Sequence, residues 1–167
     1  MPLKPVDKTR YGKHLKITFF AICTYLLITA LGVSTLLIAL VGSEDGGNFW
    51  LNVAGVIIAV CGFALLYQKF NNHPFFSEIM YVRGLKAQMN AIYRKQRAIK
   101  EAAEQGDPVA MGILDFSYSA SHFVYSLDDN TITLEDLAKS KRELQEWADQ
   151  YQITQYPEYD AALLKNY

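Results

Sequence analysis

Two apolar runs limit what this chain can fold into. Residues 17–41 hold no charged side chain, and neither do residues 49–67. As helices they would reach roughly 37 Å and 28 Å, against a bilayer hydrocarbon core of about 30 Å. Residues 42–48, Gly-Ser-Glu-Asp-Gly-Gly-Asn, read as a turn by composition, and the acids Glu44 and Asp45 are poorly suited to lipid. Phe49, Trp50 and Tyr67 fall where amphipathic rings favour a membrane interface. The pattern predicts a hairpin of two spans. A cleaved secretory signal is the competing reading of the basic start, but its apolar region would be too long, and a second run follows at once.

The flanks predict an orientation. Residues 1–16 carry Lys4, Lys8, Arg10, Lys13 and Lys16, the turn carries no Lys or Arg, and Lys69, Arg83 and Lys86 follow the second run. By the positive-inside rule both termini are expected in the cytoplasm and the turn outside. Pro2 and Pro5 discourage helix at the very start.

Small residues lie where two helices could approach closely: Ala30, Ser34 and Thr35 in the first run, Gly55, Ala59 and Gly62 in the second. Gly55-xxx-Ala59 has the small-xxx-small spacing that permits backbone contact in lipid. The expectation is packing within the hairpin ahead of dimerisation. Neither run contains Asp, Glu, Lys, Arg or His, which argues against transport by this chain alone. Cys23 and Cys61 read as small packing residues rather than a disulfide framework.

Residues 68–167 are charge-rich and predict a water-exposed helical domain. The second span should end at Asn71-Asn72-His73-Pro74, because a residue before proline avoids helical angles while proline suits a first helical position. A long helix is expected over residues 74–105, stopped by Gly106. Along it Val82, Leu85, Met89, Ile92, Gln96, Ile99 and Ala103 recur by three and four, the seam of a helical hairpin or coiled coil. Whether that seam packs in its own chain or pairs two chains is left open by spacing alone.

Asp107-Pro108 restarts the helix as cap and first residue. Residues 109–127 are apolar on nearly every face, which marks the centre of a bundle. After an Asp128-Asp129-Asn130 turn, Thr133 should cap a third helix, with an Ile132–Leu137 staple and an inner face of Leu137, Leu144, Trp147 and Tyr151. A short last helix follows through Ala161 and Leu164. The expected architecture is all-α: a basic tail (1–16), a two-helix transmembrane hairpin (17–67), and a cytoplasmic bundle of three main helices (68–167).

Little in the sequence points to chemistry. His14, His73 and His122 lack metal-ligand spacing, and no phosphate loop or nucleophile elbow occurs, so neither cofactor nor metal is expected, nor an enzyme. Asp115, Ser119 and His122 lie about one turn apart and are an example of a polar set that could line a cleft. A net charge of −1 gives no reason to expect nucleic acid as a partner. The sharpest basic run holds Arg94, Lys95, Arg97 and Lys100, either a solvated face or a contact for an acidic partner or anionic headgroups.

His73-Pro74-Phe75, Tyr81-Val82 with Leu85-Lys86, Ile92-Tyr93-Arg94-Lys95, Ala102 through Asp107, Leu127 through Thr131, and Thr133-Leu134 together resemble a family of small two-span inner-membrane proteins of gammaproteobacteria, classed as a domain of unknown function. The resemblance implies a bacterial inner-membrane location and brings no catalytic residue with it. The function expected is that of a non-enzymatic interaction or assembly protein whose partners are the bilayer and a protein, or a second copy, met through the long helix. An accessory subunit of a membrane transporter or enzyme complex is the alternative.

Overall fold

The computed structural model describes residues 3–43, 46–130 and 133–167, which contain helices and no strand. The chain divides into two compact units, Thr9–Met80, and Met1–Lys8 with Tyr81–Tyr167.

The first unit is built on α1 (Lys8–Val41) and α2 (Phe49–Phe70). Helix α1 starts inside the basic flank, well before the charge-free run. The acids of the turn lie outside the described residues. Around them Asn48 closes the loop: its Oδ1 accepts from Ser43 N at 3.0 Å and its Nδ2 donates to Ser43 O at 3.3 Å. Gly46 takes φ +80°, open to glycine at no steric cost.

Helix α2 ends where the His73-Pro74 step requires. His73 is extended (φ −68°, ψ 139°), its Nδ1 accepts from Phe75 N at 3.2 Å, and Pro74 opens a 3₁₀ turn, Pro74–Phe76. Helix α3 (Ser77–Tyr93) follows directly.

The expected single helix over residues 74–105 is not continuous. Beyond the 3₁₀ entry it breaks at Arg94-Lys95 into α3 and α4 (Gln96–Glu104). Lys95 takes φ −115°, ψ 7°, and its N–H turns back to Ile92 O at 2.9 Å, one residue short of an α-helical bond. The seam keeps its phase across the break. Val82, Leu85, Ile92, Ile99 and Ala103 are all buried, with Met89 and Gln96 half-buried, so this stripe is used inside the chain.

Gly106 (φ +88°) ends α4 in the left-handed cap, and Asp107 Oδ1 accepts from Val109 N at 2.8 Å and Ala110 N at 3.3 Å to start α5 (Pro108–Leu127). Helix α5 is buried along most of its length and packs against both α4 and α6 (Leu134–Gln150), as its all-round apolarity requires.

Two expectations for α6 are corrected. Thr133 stands at the cap position but in helical angles (φ −90°, ψ −1°), so its hydroxyl is not aimed at the first-turn amides and Oγ1 is buried without a partner. Ile132 lies outside the described residues, and the staple with it. Leu137 and Leu144 are buried and Trp147 half-buried, but Tyr151 is exposed, its ring lying over Gly106 and its hydroxyl donating to Glu104 O at 2.9 Å. The last element is a 3₁₀ turn, Ala161–Asn166, capped by Asp160 on Ala162 N at 2.8 Å.

Candidate interaction surfaces

In the hairpin, Gly55 is the point of closest approach. A Cβ there would run into Ser34 Oγ and sit 2.9 Å from Ala30 O and Ser34 N, so only glycine lets the backbones meet. Ser34 Oγ also donates to Asn52 O at 3.4 Å. Ala59 is buried, and one turn on, a Cβ at Gly62 would meet the Tyr25 hydroxyl at 2.5 Å. Gly55, Ala59 and Gly62 therefore form one stripe turned to α1. The outer faces carry exposed Phe19, Phe20, Leu31, Leu40, Trp50 and Leu65. By length and composition α1 and α2 can each cross a membrane, and they are 6% and 11% buried over their apolar windows, unlike the core helices of a soluble protein. Cys23 and Cys61 are free and exposed.

The basic run does not form one patch. Lys95 Nζ donates to Leu164 O at 2.6 Å, tying the helix break to the final turn. Lys100 Nζ reaches Glu143 Oε2 at 3.1 Å and lies 5.6 Å from the Trp147 ring centre, a cation–π contact between α4 and α6. The Glu143 hydrogen bond holds the Lys100 ammonium above its usual pKa, against the opposing effect of burial. Arg97 pairs with Glu101 along its own helix at 2.8 Å. Arg94 points outward beside Tyr93, whose ring is 73% exposed at the break.

Asp115 and Ser119 line a groove on α5 with Gly112, Tyr156, Pro157 and Glu158, whereas His122 is exposed and not part of it. Lys141 Nζ lies 3.3 Å from Ser119 Oγ. The three residues one turn apart in sequence thus do not converge on one cleft. Burial raises the phenol pKa of Tyr156 there, helped by Asp115 and Asp149. Among the described residues no three His, Cys, Asp or Glu side chains come together as a metal cluster.

One polar junction is not announced by any motif in the sequence. It lies within the first unit, where α1 crosses the segment joining α2 to α3. Arg10 Nε donates to Glu78 Oε1 at 2.9 Å and its Nη2 reaches the same oxygen. One turn on, the His14 ring stacks on Phe75 with centroids 4.0 Å apart. Glu78 is only 9% exposed, and its Oε2 has no partner. His14 Nδ1, Thr18 Oγ1 and Asn71 Oδ1 are also buried and unpartnered, so four of the five such atoms among the described residues belong to this junction. The available signal was the four-residue spacing of Arg10, His14 and Thr18, which puts them on one face of α1. It was hidden because the flank read as mere basic charge.

No curated protein and no solved structure matches the chain. A family model does, over residues 1–164, and the chain therefore belongs to the family described as "Protein of unknown function (DUF3087)".

Proposed function

We propose that this is a non-enzymatic interaction or assembly protein, held in a bacterial inner membrane by the α1–α2 hairpin with both termini in the cytoplasm. The observation that carries the reading is the contrast between the hairpin's two surfaces. Its small residues close on one another, while large apolar side chains cover the outside, a face that water would not tolerate over such an area. The basic flank and the resemblance support the membrane and the orientation.

The bundle supports the interaction role by what it leaves outside. The heptad stripe is buried in the chain, so self-association through it would require unfolding, and a partner has to meet another surface. Tyr93 and Arg94 at the break between α3 and α4 are adjacent in sequence and both exposed, an aromatic and a guanidinium of the types that dominate binding hot spots.

In-cell photo-cross-linking from positions 93 and 94, with products identified by mass spectrometry, tests this. A discrete product heavier than the chain, lost when the probe moves to Glu146 on α6, is the expected result. A chain that cross-links to nothing from either position, while remaining in the membrane fraction, overturns the interaction role. Labelling of single cysteines placed at positions 43 and 86 tests the orientation: position 43 should react from outside and position 86 only after permeabilisation.

A further inference from the structure

We propose that the junction of Arg10, His14, Thr18, Asn71 and Glu78 is a binding site for the headgroup of an aminophospholipid, with a primary ammonium as the recognised group. The inference rests on the membrane reading above. Buried polar atoms in folded proteins nearly always have partners, so orphans gathered at one junction, Glu78 Oε2 foremost, point to a ligand.

The orphans define the ligand's chemistry. Glu78 Oε2 is a carboxylate oxygen and can only accept, and Asn71 Oδ1 accepts as well. Thr18 Oγ1 and His14 Nδ1 can accept or donate. At the outer end of the junction Glu78 Oε2 and His14 Nδ1 ask for hydrogen-bond donors, and a primary ammonium offers three. Glu78 is already matched in charge by Arg10 through Oε1. A neutral pair suits a zwitterion better than a bare cation, since the headgroup adds no net charge to a buried site. A metal ion is a poor fit to one carboxylate and three neutral groups.

The order of residues matches the order of groups in a lipid. The α1–α2 contacts of Gly55 with Ser34 and Gly62 with Tyr25, continued to the end of α2, place Thr18 beside Asn71, and the Arg10–Glu78 and His14–Phe75 pairs lie outward of them. Thr18 stands at the start of the charge-free run and Asn71 just past the end of α2, next to the acyl chains. Arg10 and Glu78 lie two turns further out. Acyl chain, phosphodiester and ammonium follow one another outward in the same sequence. The Thr18 hydroxyl faces the phosphodiester depth, Glu78 Oε2 the ammonium depth, and the nearby exposed side chain of Lys13 adds a cation for the phosphate.

The test is native mass spectrometry of the full chain in detergent micelles, incubated with lipids of identical acyl chains. Phosphatidylethanolamine, its mono- and dimethyl derivatives and phosphatidylcholine remove N–H donors one step at a time without altering the phosphate. Retention should fall along the series, by at least about tenfold from first to last, since one lost charge-assisted hydrogen bond already amounts to that. Glu78→Gln should flatten the series, whereas Glu146→Gln on α6 should not. Equal retention of all four lipids, or a series unchanged by Glu78→Gln in a chain that keeps its helicity, overturns the site. Free ethanolamine competing as well as the lipid would assign the ammonium to a soluble amine and overturn the lipid. Failure of the membrane reading shows separately, as a chain that leaves the membrane fraction on alkaline carbonate washing.

Discussion

Lys95 Nζ donates a 2.6 Å hydrogen bond to the carbonyl of Leu164, so a residue from the most basic stretch of the chain secures the final turn of the bundle. Removing it while keeping the aliphatic stem, Lys95→Met, should lower bundle stability by about 1 kcal/mol, the usual worth of such a bond. Arg94→Ala and Arg97→Ala, both on exposed side chains, should leave stability unchanged. Thermal unfolding of the three variants followed by circular dichroism checks the ranking.

Gly55 and Gly32 make a matched pair in the hairpin. A methyl at Gly55 collides with Ser34 and the Ala30 carbonyl, whereas one at Gly32 meets nothing within 4 Å. Gly55→Ala should destabilise the hairpin by about 1–3 kcal/mol, as overpacking does, and Gly32→Ala should be neutral or slightly stabilising. Denaturation in mixed micelles, followed by the fluorescence of Trp50, measures both.

The corner between α4 and α5 is a second place where glycine is required. Gly106 combines φ +88° with a Tyr151 ring that a Cβ would meet at 2.6 Å. Gly106→Ala should cost more than about 1 kcal/mol, through backbone strain together with displacement of Tyr151. Asp107→Ala should cost about 1 kcal/mol or more, because it removes the cap of α5 and also the acceptor of a 2.6 Å bond from the Tyr167 hydroxyl. Amide exchange across residues 104–112 locates either loss.

The bundle should lose stability in alkali. The Glu143 bond raises the folded pKa of Lys100, and burial raises those of Tyr118 and Tyr167, the latter also through its bond to Asp107. In each case the fold holds the proton more tightly than the unfolded chain does. The stabilisation is complete below the unfolded pKa values of about 10 and disappears as pH climbs past them toward the folded ones. Melting temperature should be flat near pH 8–9 and fall above pH 10, with Tyr167→Phe reducing the slope.

Much of the architecture could be read from local chemistry. Asp107-Pro108 after Gly106, and His73 before Pro74, each fix backbone angles through covalent structure or a neighbouring side chain, so they appear in the fold where the sequence puts them. The break at Arg94-Lys95 could not be read this way. It contains neither glycine nor proline and interrupts no apolar spacing, and its visible partner, the Leu164 carbonyl, is distant in sequence. Thr133 shows the limit of residue identity, since a good capping residue fails when its backbone is already helical. The hairpin stripe of Gly55, Ala59 and Gly62 was legible as small residues, but that Gly55 meets Ser34 and Gly62 meets Tyr25 depends on the rotation of two helices. The basic run was legible as charge divided over both sides of the seam, but that Lys95 and Lys100 turn to Leu164 and Glu143 depends on partners brought near only by folding.

Backbone contact at Gly55 has a consequence for how such a hairpin would travel. With Gly55, Ala59 and Gly62 held against α1, that stripe would not be open to a second span in a bilayer. The hairpin would glide among lipids as one stiff float. Where it pauses would then be decided by what its outer faces meet.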